Sequence, residues 1–187
     1  MEQPVQRDVV EAARGGDHEA FEALAMAAGD RLFAIASLIL RDRQRAEDAV
    51  QEALVHAWRE LPRLRDPDRF DAWLHRLLVN SCADEGRHQR RWSTEVRMIR
   101  SEPSTEDGAT SLADRDQLER GFRRLKPEQR VVVVLHFYVG LPVPEIADTL
   151  GIPLGTVKSR LHYAMATLRA ALDADARETV ATNGQTA

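Results

Sequence analysis

The sequence predicts an all-α protein made of two small helical domains that are joined by a flexible linker. Three observations carry this prediction. Alanine, leucine and valine are abundant while aromatic residues make up only 5% of the chain, a composition that favours helices. Apolar residues recur at spacings of three and four over most of the sequence, which is the period of amphipathic helices. This periodicity fails over one polar stretch near the middle, where we expect the linker.

The first domain, residues 1–92, begins with a short helix that we predict over Val5–Arg14. Gly15 and Gly16 interrupt this helix, and Asp17 is placed to cap a second, longer one. The second helix carries an apolar stripe at helical spacing. The stripe consists of Phe21, Leu24, Ala28, Leu32, Ile35 and Ile39.

Two further helices complete the first domain. The third has a stripe of mostly small apolar residues and ends at Pro62. The turn Asp66-Pro67-Asp68 then starts a fourth helix, which we expect to run to about Arg91. The stripe of the third helix is Ala46, Ala49, Val50, Ala53, Ala57 and Leu61, and that of the fourth is Phe70, Trp73, Leu74, Leu77, Leu78 and Ser81.

The linker is predicted at residues 93–112, where Ser, Thr, Glu, Asp, Gly and Pro replace the apolar periodicity. The second domain, residues 113–172, includes a helix that carries Pro127 in its first turn. The β-branched run Val131–Val134 would suit a strand in isolation, but its helical surroundings predict a helix. Residues 173–187 lose periodicity, and we expect them to be disordered.

The charge distribution predicts two kinds of partner. The net charge of −4 argues at first against nucleic acid, but the sum hides an acidic front and two basic patches. Residues 1–66 have a balance of −4, whereas residues 87–100 have a balance of +4. Residues 151–172 contain basic side chains and no acid. Each of these runs, taken alone, is explained equally well as a solvated helix face.

Other classes of protein find little support in the sequence. Cys82 is the single cysteine, so no intramolecular disulfide forms and a reducing, cytoplasmic location is expected. The polar N-terminus is not a signal peptide, and the longest apolar stretch, Leu32–Leu40, is too short to span a membrane. We find no nucleophile–base pair, glycine-rich phosphate loop or metal-ligand cluster. We therefore predict neither an enzyme nor a cofactor.

A helix-turn-helix pattern occupies the second domain. Glu145–Leu150 predicts a short helix, Gly151 a turn out of it, and a second helix starts near Leu154. The outer face of this second helix is small, polar and basic, which suits a DNA major groove. A plain helical hairpin is the alternative on this pattern alone. The inner stripe is Leu154, Val157, Leu161, Ala164 and Leu168, and the outer arc is Gly155, Ser159, His162, Tyr163 and Ala166, flanked by Lys158 and Arg160.

The first domain presents two different outward faces. On the third helix, acidic, amide and aliphatic side chains are mixed, which suits a protein partner because carboxylates repel phosphate. A simple solvated face is an equal alternative there. On the fourth helix runs a basic stripe, in which Arg supplies phosphate contacts and Asn can read a base edge. The faces comprise Asp48, Gln51, Glu52, Val55 and Arg59 on the third helix, and Arg76, Asn80, Ala83, Arg87 and Arg90 on the fourth.

Two blocks of the chain resemble the sigma-70 family of RNA polymerase subunits. The first resembles the core-binding and promoter-reading helices of region two, and the second resembles region four. Because only a linker separates the blocks, the chain is similar to the extracytoplasmic-function (ECF) group. The matching motifs are Ala46–Glu52 with Ala57-Trp58, Phe70–Leu74 with Asn80, Leu125–Arg130, Glu145–Ala147 and Gly155–Leu161.

The resemblance implies a sigma factor that binds core RNA polymerase and directs promoter recognition, DNA melting and transcription initiation. Its polymerase contacts would be the clamp helices of the largest subunit and the flap of the second-largest. The loop Leu61–Asp68 would help to hold a base flipped from the melted strand. An anti-sigma factor is a further implied partner, and membrane insertion is not implied. The implied sites are Asp48, Gln51 and Glu52 for core polymerase, Arg76, Asn80 and Arg87 for the minus-ten element, and Thr156, Lys158, Ser159, His162 and Tyr163 for the minus-thirty-five element.

Three positions depart from the usual pattern of region four. Pro153 stands where a capping Ser is frequent, His162 where an aromatic residue is frequent, and Tyr163 where a basic residue is frequent. The sequence of the minus-thirty-five element is therefore left unpredicted. A stand-alone helix-turn-helix regulator is the alternative function, but it assigns no role to the acidic face or to the Arg76–Arg90 stripe.

Overall fold

The structure is a computed structural model that describes the backbone of residues 3–96 and 120–183 and the side chains of residues 7–86 and 120–173. Within these ranges every regular element is helical, which confirms the predicted fold class. The elements divide between two compact units. The first unit contains α1 (Gln3–Arg14), α2 (His18–Leu40), α3 (Arg43–Glu60), the 3-10 turns Leu61–Arg63 and Pro67–Arg69, and α4 (Phe70–Val96).

The second unit begins, within the described residues, with a helical segment at 120–124. A π-helical turn follows its first full helix, and the two helices of the helix-turn-helix come after that. These elements are α5 (Pro127–Val133), the π turn Val134–Tyr138, α6 (Val143–Leu150) and α7 (Leu154–Asn183).

Side-chain caps fix the connection from α1 through α3. Asp17 accepts a hydrogen bond from the backbone N–H of Ala20 at 3.1 Å, so the predicted N-cap is confirmed. At the end of α2, Arg41 adopts a left-handed φ of 58°, which reverses the chain in one residue. Asp42 then accepts from the N–H of Arg45 at 3.1 Å and starts α3 immediately. α2 and α3 are thereby held as neighbours.

The core of the first unit is built around the alanines of α3. Ala46, Ala49, Ala53 and Ala57 are each 0% exposed, and α3 packs against both α2 and α4. Methyl-sized side chains let helix backbones approach closely, while the larger residues of the neighbours fill the remaining space. These larger buried residues are Leu24, Leu32, Ile35 and Ile39 on α2, and Phe70, Leu74, Leu77 and Leu78 on α4.

α2 is long and apolar enough to cross a membrane, with 23 residues and a mean hydropathy of 1.7 over its most apolar 18 residues. The expectation that no segment is long enough to span a membrane rested on the shorter stretch Leu32–Leu40. A core helix of a globular bundle has the same signature, and α2 packs against α1, α3 and α4. Its outer side carries the exposed carboxylates Glu22 and Asp30. These contacts and charges favour a core helix.

A buried histidine lies in the same core. His75 on α4 is 3% exposed, and Arg31 approaches its Nε2 at 2.8 Å. Because a guanidinium can only donate, Nε2 accepts and the ring proton is on Nδ1, which has no partner among the described residues. Burial, and then the charge of Arg31, lower the pKa of His75 to about 4. His75 is therefore neutral in the folded protein near pH 7.

The first unit should lose stability as the pH falls from 6.5 towards 4. In that window the unfolded chain binds a proton at His75 (ordinary pKa 6.5) that the folded chain, with a pKa of about 4, excludes. The unfolded state then holds more protons, so the free energy of unfolding falls by about 3 kcal/mol across the window. Urea unfolding at pH 7 and pH 4, compared with His75→Gln, measures the effect. The variant keeps an acceptor for Arg31 but does not titrate, and equal pH slopes for both proteins would contradict the assignment.

The core of the second unit joins α5 to α7. Leu125, Val133, Ala164 and Leu168 form its buried centre. The run Val131–Val134 is helical, as predicted, but it passes into a π turn in which the N–H of Val139 donates to the carbonyl of Val134 at 3.0 Å. The chain leaves this turn at Gly140, whose φ is 83°.

Two helix ends differ from the expected bounds. α7 continues to Asn183, whereas disorder was expected from residue 173. Alanine recurs through this segment, and its helix propensity continues the helix without an apolar stripe. α4 extends to Val96 rather than Arg91 and so overlaps the predicted linker. The remainder of that linker, residues 97–112, lies outside the described residues, and so do the helical residues predicted at 113–119.

Candidate protein-binding and nucleic-acid interfaces

The acidic face of α3 is formed as the sequence predicts. Asp48, Gln51 and Glu52 are exposed and occupy consecutive turns on the side opposite the buried alanines. Val55 extends the same face and is 47% exposed. An aliphatic side chain surrounded by carboxylate and amide groups is typical of a protein-binding surface, because it offers apolar area together with charge.

Asp48 and Glu52 each contact a neighbouring side chain of α3 itself. Gln44 donates to Asp48 at 3.4 Å, and His56 lies 3.8 Å from a carboxylate oxygen of Glu52. Exposed pairs within one helix are weak. A partner that supplies cations can therefore displace them at little cost.

The basic stripe of α4 is described over its first half. Arg76, Asn80 and Ala83 are exposed, one helical turn apart, while Leu77, Leu78 and Ser81 on the other side are buried. Arg87 lies on the same helix, but its side chain is outside the described residues, as is that of Arg90. The described part therefore presents an arginine and an amide on one surface, a pair that can bind phosphate and a base edge.

The loop between α3 and α4 has a regular alternation of buried and exposed residues. Leu61, Leu64 and Pro67 are buried, and they recur at every third position as 3-10 geometry requires. The residues between them are exposed. The exposed set includes three arginines, namely Arg63, Arg65 and Arg69. Asp66 and Asp68 are exposed as well, so the α3–α4 loop has a net charge of only +1, three arginines against two aspartates.

The helix-turn-helix is closed by a glycine. Gly151 has a φ of 63°, a left-handed conformation that glycine adopts without strain. The N–H of Ile152 donates back to the carbonyl of Ala147 at 3.1 Å, which satisfies the end of α6. Pro153 then precedes α7, and its carbonyl accepts from Thr156 N–H at 2.8 Å. The predicted turn at Gly151 is confirmed.

The outer face of α7 carries most of the predicted site residues. Lys158, Ser159, His162 and Tyr163 are exposed, and the rings of His162 and Tyr163 meet edge to face at 5.6 Å. Thr156 is half-buried, and its carbonyl accepts from the hydroxyl of Ser159 at 3.0 Å. This bond occupies the Ser159 proton but leaves the hydroxyl oxygen available as an acceptor.

One member of the predicted inner stripe is misplaced. Leu154 is 41% exposed, whereas Val157, Ala164 and Leu168 are buried. Leu154 is the first residue of α7, so it extends beyond the core that the later turns cover. Helical spacing predicts a direction around the axis, but it does not predict how far along the axis the core reaches.

Sequence reasoning missed two exposed aromatic residues beside α7. Phe137 and Tyr138, in the π turn, are 61% and 53% exposed. Phe137 and His136 line an open cavity of about 330 Å³ together with residues of α7, among them His162 and Arg169. The apolar run that precedes them was predicted only to be helical, and nothing in the sequence marked the π turn. Within the described residues, no three His, Cys, Asp or Glu side chains gather as metal ligands.

Two family models match the chain at these surfaces. The model for sigma-70 region 2 matches residues 24–92, which include the face of α3 and the stripe of α4. The model for sigma-70 region 4 matches residues 115–168, which include the helix-turn-helix. Their order along the chain is the order that the motifs predict.

Whole proteins give the same result. The ECF RNA polymerase sigma factor SigL of Mycobacterium tuberculosis is 38% identical over 135 residues, or 70% of this chain and 76% of that protein. The RNA polymerase sigma-E factor of Streptomyces avermitilis is 33% identical over 160 residues, or 84% and 89%.

Solved structures share the fold. CnrH, solved in complex with the cytosolic domain of CnrY, aligns at 31% identity and a TM-score of 0.65 over 91% of this chain and 98% of that chain. The sigma factor RpoE from Bartonella quintana, solved with the anti-sigma factor NepR, aligns at 24% identity and a TM-score of 0.70 over 82% and 96%. With both regions matched and relatives of this identity, the chain belongs to the sigma-70 family as an ECF RNA polymerase sigma factor, a non-enzymatic subunit that directs transcription initiation.

Proposed function

We propose that one outward face of the first unit binds polymerase and that the other binds promoter DNA. Asp48, Gln51 and Glu52 on α3 bind the clamp helices of the largest polymerase subunit. Arg76, Asn80 and Arg87 on α4 bind the minus-ten element. The observation that carries this division is the opposite character of the two exposed faces, one acidic with an aliphatic centre and the other basic with an amide.

Electrostatics support the assignment in both directions. A carboxylate face repels a phosphate backbone and attracts a basic partner surface, so α3 selects protein over DNA. Arg76 neutralises phosphate without reading sequence, whereas the amide of Asn80 can donate to and accept from a base edge. A melted strand offers such edges without competition from a complementary base.

The second unit binds the minus-thirty-five element as a duplex. The exposed side of α7 combines a cation at Lys158 with hydrogen-bonding groups at Ser159 and His162 and with an aromatic ring at Tyr163. That combination suits a major groove, where cations hold phosphates and polar groups contact bases. Half-buried Thr156 adds a contact at the start of the helix. The flap of the second-largest polymerase subunit is a further partner of the whole sigma factor.

The proposed setting is the bacterial cytoplasm, with an anti-sigma factor as regulator. RpoE, which shares this fold, was solved bound to the anti-sigma factor NepR, and CnrH was solved bound to the cytosolic domain of CnrY. Cys82 is buried, and burial raises the pKa of its thiol to about 12, so this thiol is unreactive.

Reconstitution with core polymerase tests the proposal. Mixed with core enzyme and a genomic promoter library, the chain should yield specific transcripts that begin at a shared promoter sequence. Core enzyme alone is the control. Neither specific transcripts nor a stable complex with core would contradict the proposal.

Lys158→Ala should weaken binding of the holoenzyme to duplex minus-thirty-five DNA, by about 1–3 kcal/mol if Lys158 contacts a base edge. Loss of a phosphate contact would also reduce the slope of affinity against salt by about one unit. Competition binding at several salt concentrations measures both quantities. Arg124→Ala, an exposed arginine outside α7, is the matched control, and an unchanged affinity for Lys158→Ala would remove that residue from the interface.

A further inference from the structure

A helix outside the matched segments contacts the α3–α4 loop. α1 precedes residue 24, where the match to region 2 begins, and it packs against both 3-10 turns of the loop. Val10 and Ala13 of α1 are buried, at 0% and 2% exposure. The loop therefore rests on α1 through apolar packing, in addition to its covalent connections to α3 and α4.

A polar contact crosses the same boundary. Nη1 of Arg7 on α1 donates to Oδ2 of Asp68 at 2.8 Å, across 61 positions of sequence. Nε of Arg7 also donates to Glu11 at 3.1 Å, so the guanidinium is held between two carboxylates. A guanidinium that donates from both Nε and Nη1 has fewer accessible rotamers. Arg7 therefore restricts the positions that Asp68 can adopt.

Asp68 lies at the second of the two 3-10 turns, just before α4. Its own N–H donates to the side chain of Asp66 at 3.1 Å, and the N–H of Arg69 donates to the carbonyl of Asp66 at 3.1 Å. A shift of Asp68 would therefore move Arg69 and the start of α4 at Phe70. These hydrogen bonds join Asp66, Asp68 and Arg69 into one turn, and Arg7 holds this turn at Asp68.

An exposed ion pair contributes little to global stability, since water screens both charges. The side chains of Arg7 and Asp68 are 48% and 59% exposed. Alternative conformations of a surface loop, however, differ by small free energies, and a weak contact is enough to shift their populations. The effect of the pair should therefore be seen in the loop and not in the unfolding of the domain.

We propose that Arg7 is a positioning residue for promoter opening: its ion pair with Asp68 holds the α3–α4 loop in the conformation that receives an unpaired base of the melted minus-ten strand. This rests on the proposed function, in which the first unit binds that strand. Three exposed arginines of the loop outnumber its two exposed aspartates, and Arg7 itself acts through Asp68 rather than by touching DNA.

A double-mutant cycle on the full-length chain with core polymerase tests the pair. The variants are Arg7→Glu, Asp68→Arg and the charge-swapped double variant, with Asp8→Asn, at an exposed carboxylate of α1 outside the pair, as the control. Open complexes are measured by permanganate reactivity on a panel of promoters that differ in one minus-ten base at a time. Core affinity and the melting temperature of the free chain are measured in parallel.

Arg7→Glu should form about tenfold fewer open complexes on the preferred promoter and should discriminate less between minus-ten bases, a coupling of the size found for contacting charges. The swapped variant should recover most of both losses. Core affinity and melting temperature should stay at the values of the parent chain, which a merely structural role would not allow.

Normal opening and base discrimination by Arg7→Glu would overturn the inference, and so would losses that simply add in the double variant. A parallel fall in melting temperature and core affinity, without rescue by the swap, would reduce Arg7 to a structural residue and also overturn it. If the parent chain itself opens no promoter with core polymerase, the proposed function fails together with this inference.

Discussion

Asp48→Arg should abolish binding of the sigma factor to core RNA polymerase. Asp48 is exposed on the acidic face of α3, so the substitution replaces an attractive charge with a repulsive one at the centre of the proposed contact. Disrupting a charge pair that binding desolvates costs about 2–5 kcal/mol, which corresponds to a loss in affinity of at least about thirtyfold. Fluorescence anisotropy of labelled sigma factor titrated with core enzyme measures the loss.

The fold should survive this change, because Asp48 has an exposed side chain and accepts a hydrogen bond from Gln44 of the same helix. An unchanged melting temperature is the check. Glu22→Arg reverses an exposed carboxylate on α2 and should bind core enzyme normally. If Asp48→Arg supports transcription at the parental rate, the face of α3 is not the docking surface.

Arg76→Glu should prevent promoter opening while leaving the polymerase complex intact. Arg76 is exposed on α4, one turn before Asn80, and a glutamate there would face the phosphates that the arginine is proposed to neutralise. Removing one phosphate contact and adding repulsion should lower open-complex formation by about 100-fold at physiological salt. Transcript yield and permanganate footprinting on a linear promoter fragment measure it.

Arg76→Lys is the matched control, because it keeps the charge and gives up only the geometry of the guanidinium. It should retain activity within a few-fold of the parent. Core affinity of Arg76→Glu should equal that of the parent chain, in contrast to Asp48→Arg. Equal loss of core affinity in both variants would contradict the division of the two faces between protein and DNA.

Local patterns in the sequence predicted the features that depend on a single helix. The alanines of α3, the cap at Asp17 and the turn at Gly151 follow from periodicity and backbone chemistry, and the structure has them as predicted. The exposed placement of Asp48 and Asn80 follows from the same periodicity. Their contacts with polymerase and promoter stay predictions.

Features that depend on contacts between distant segments could not be predicted from the sequence. The pairing of Arg7 with Asp68 joins residues 61 positions apart, and neither position is unusual within its own helix or turn. His75 reads as one more polar residue until the fold buries it beside Arg31. The helical tail was missed for a different reason, since alanine propensity can continue a helix that has no core face to reveal it.

The alanine seam of α3 has a consequence for how this protein can change. A helix whose inner side consists of side chains with a single methyl group has no room for a larger residue there, because an added carbon would meet the backbones of its neighbours. Its outer side is under no such constraint. Variation at Asp48, Gln51 and Glu52 can therefore be screened in combination without disturbing the bundle, which makes α3 a suitable starting point for sigma factors paired with an engineered polymerase.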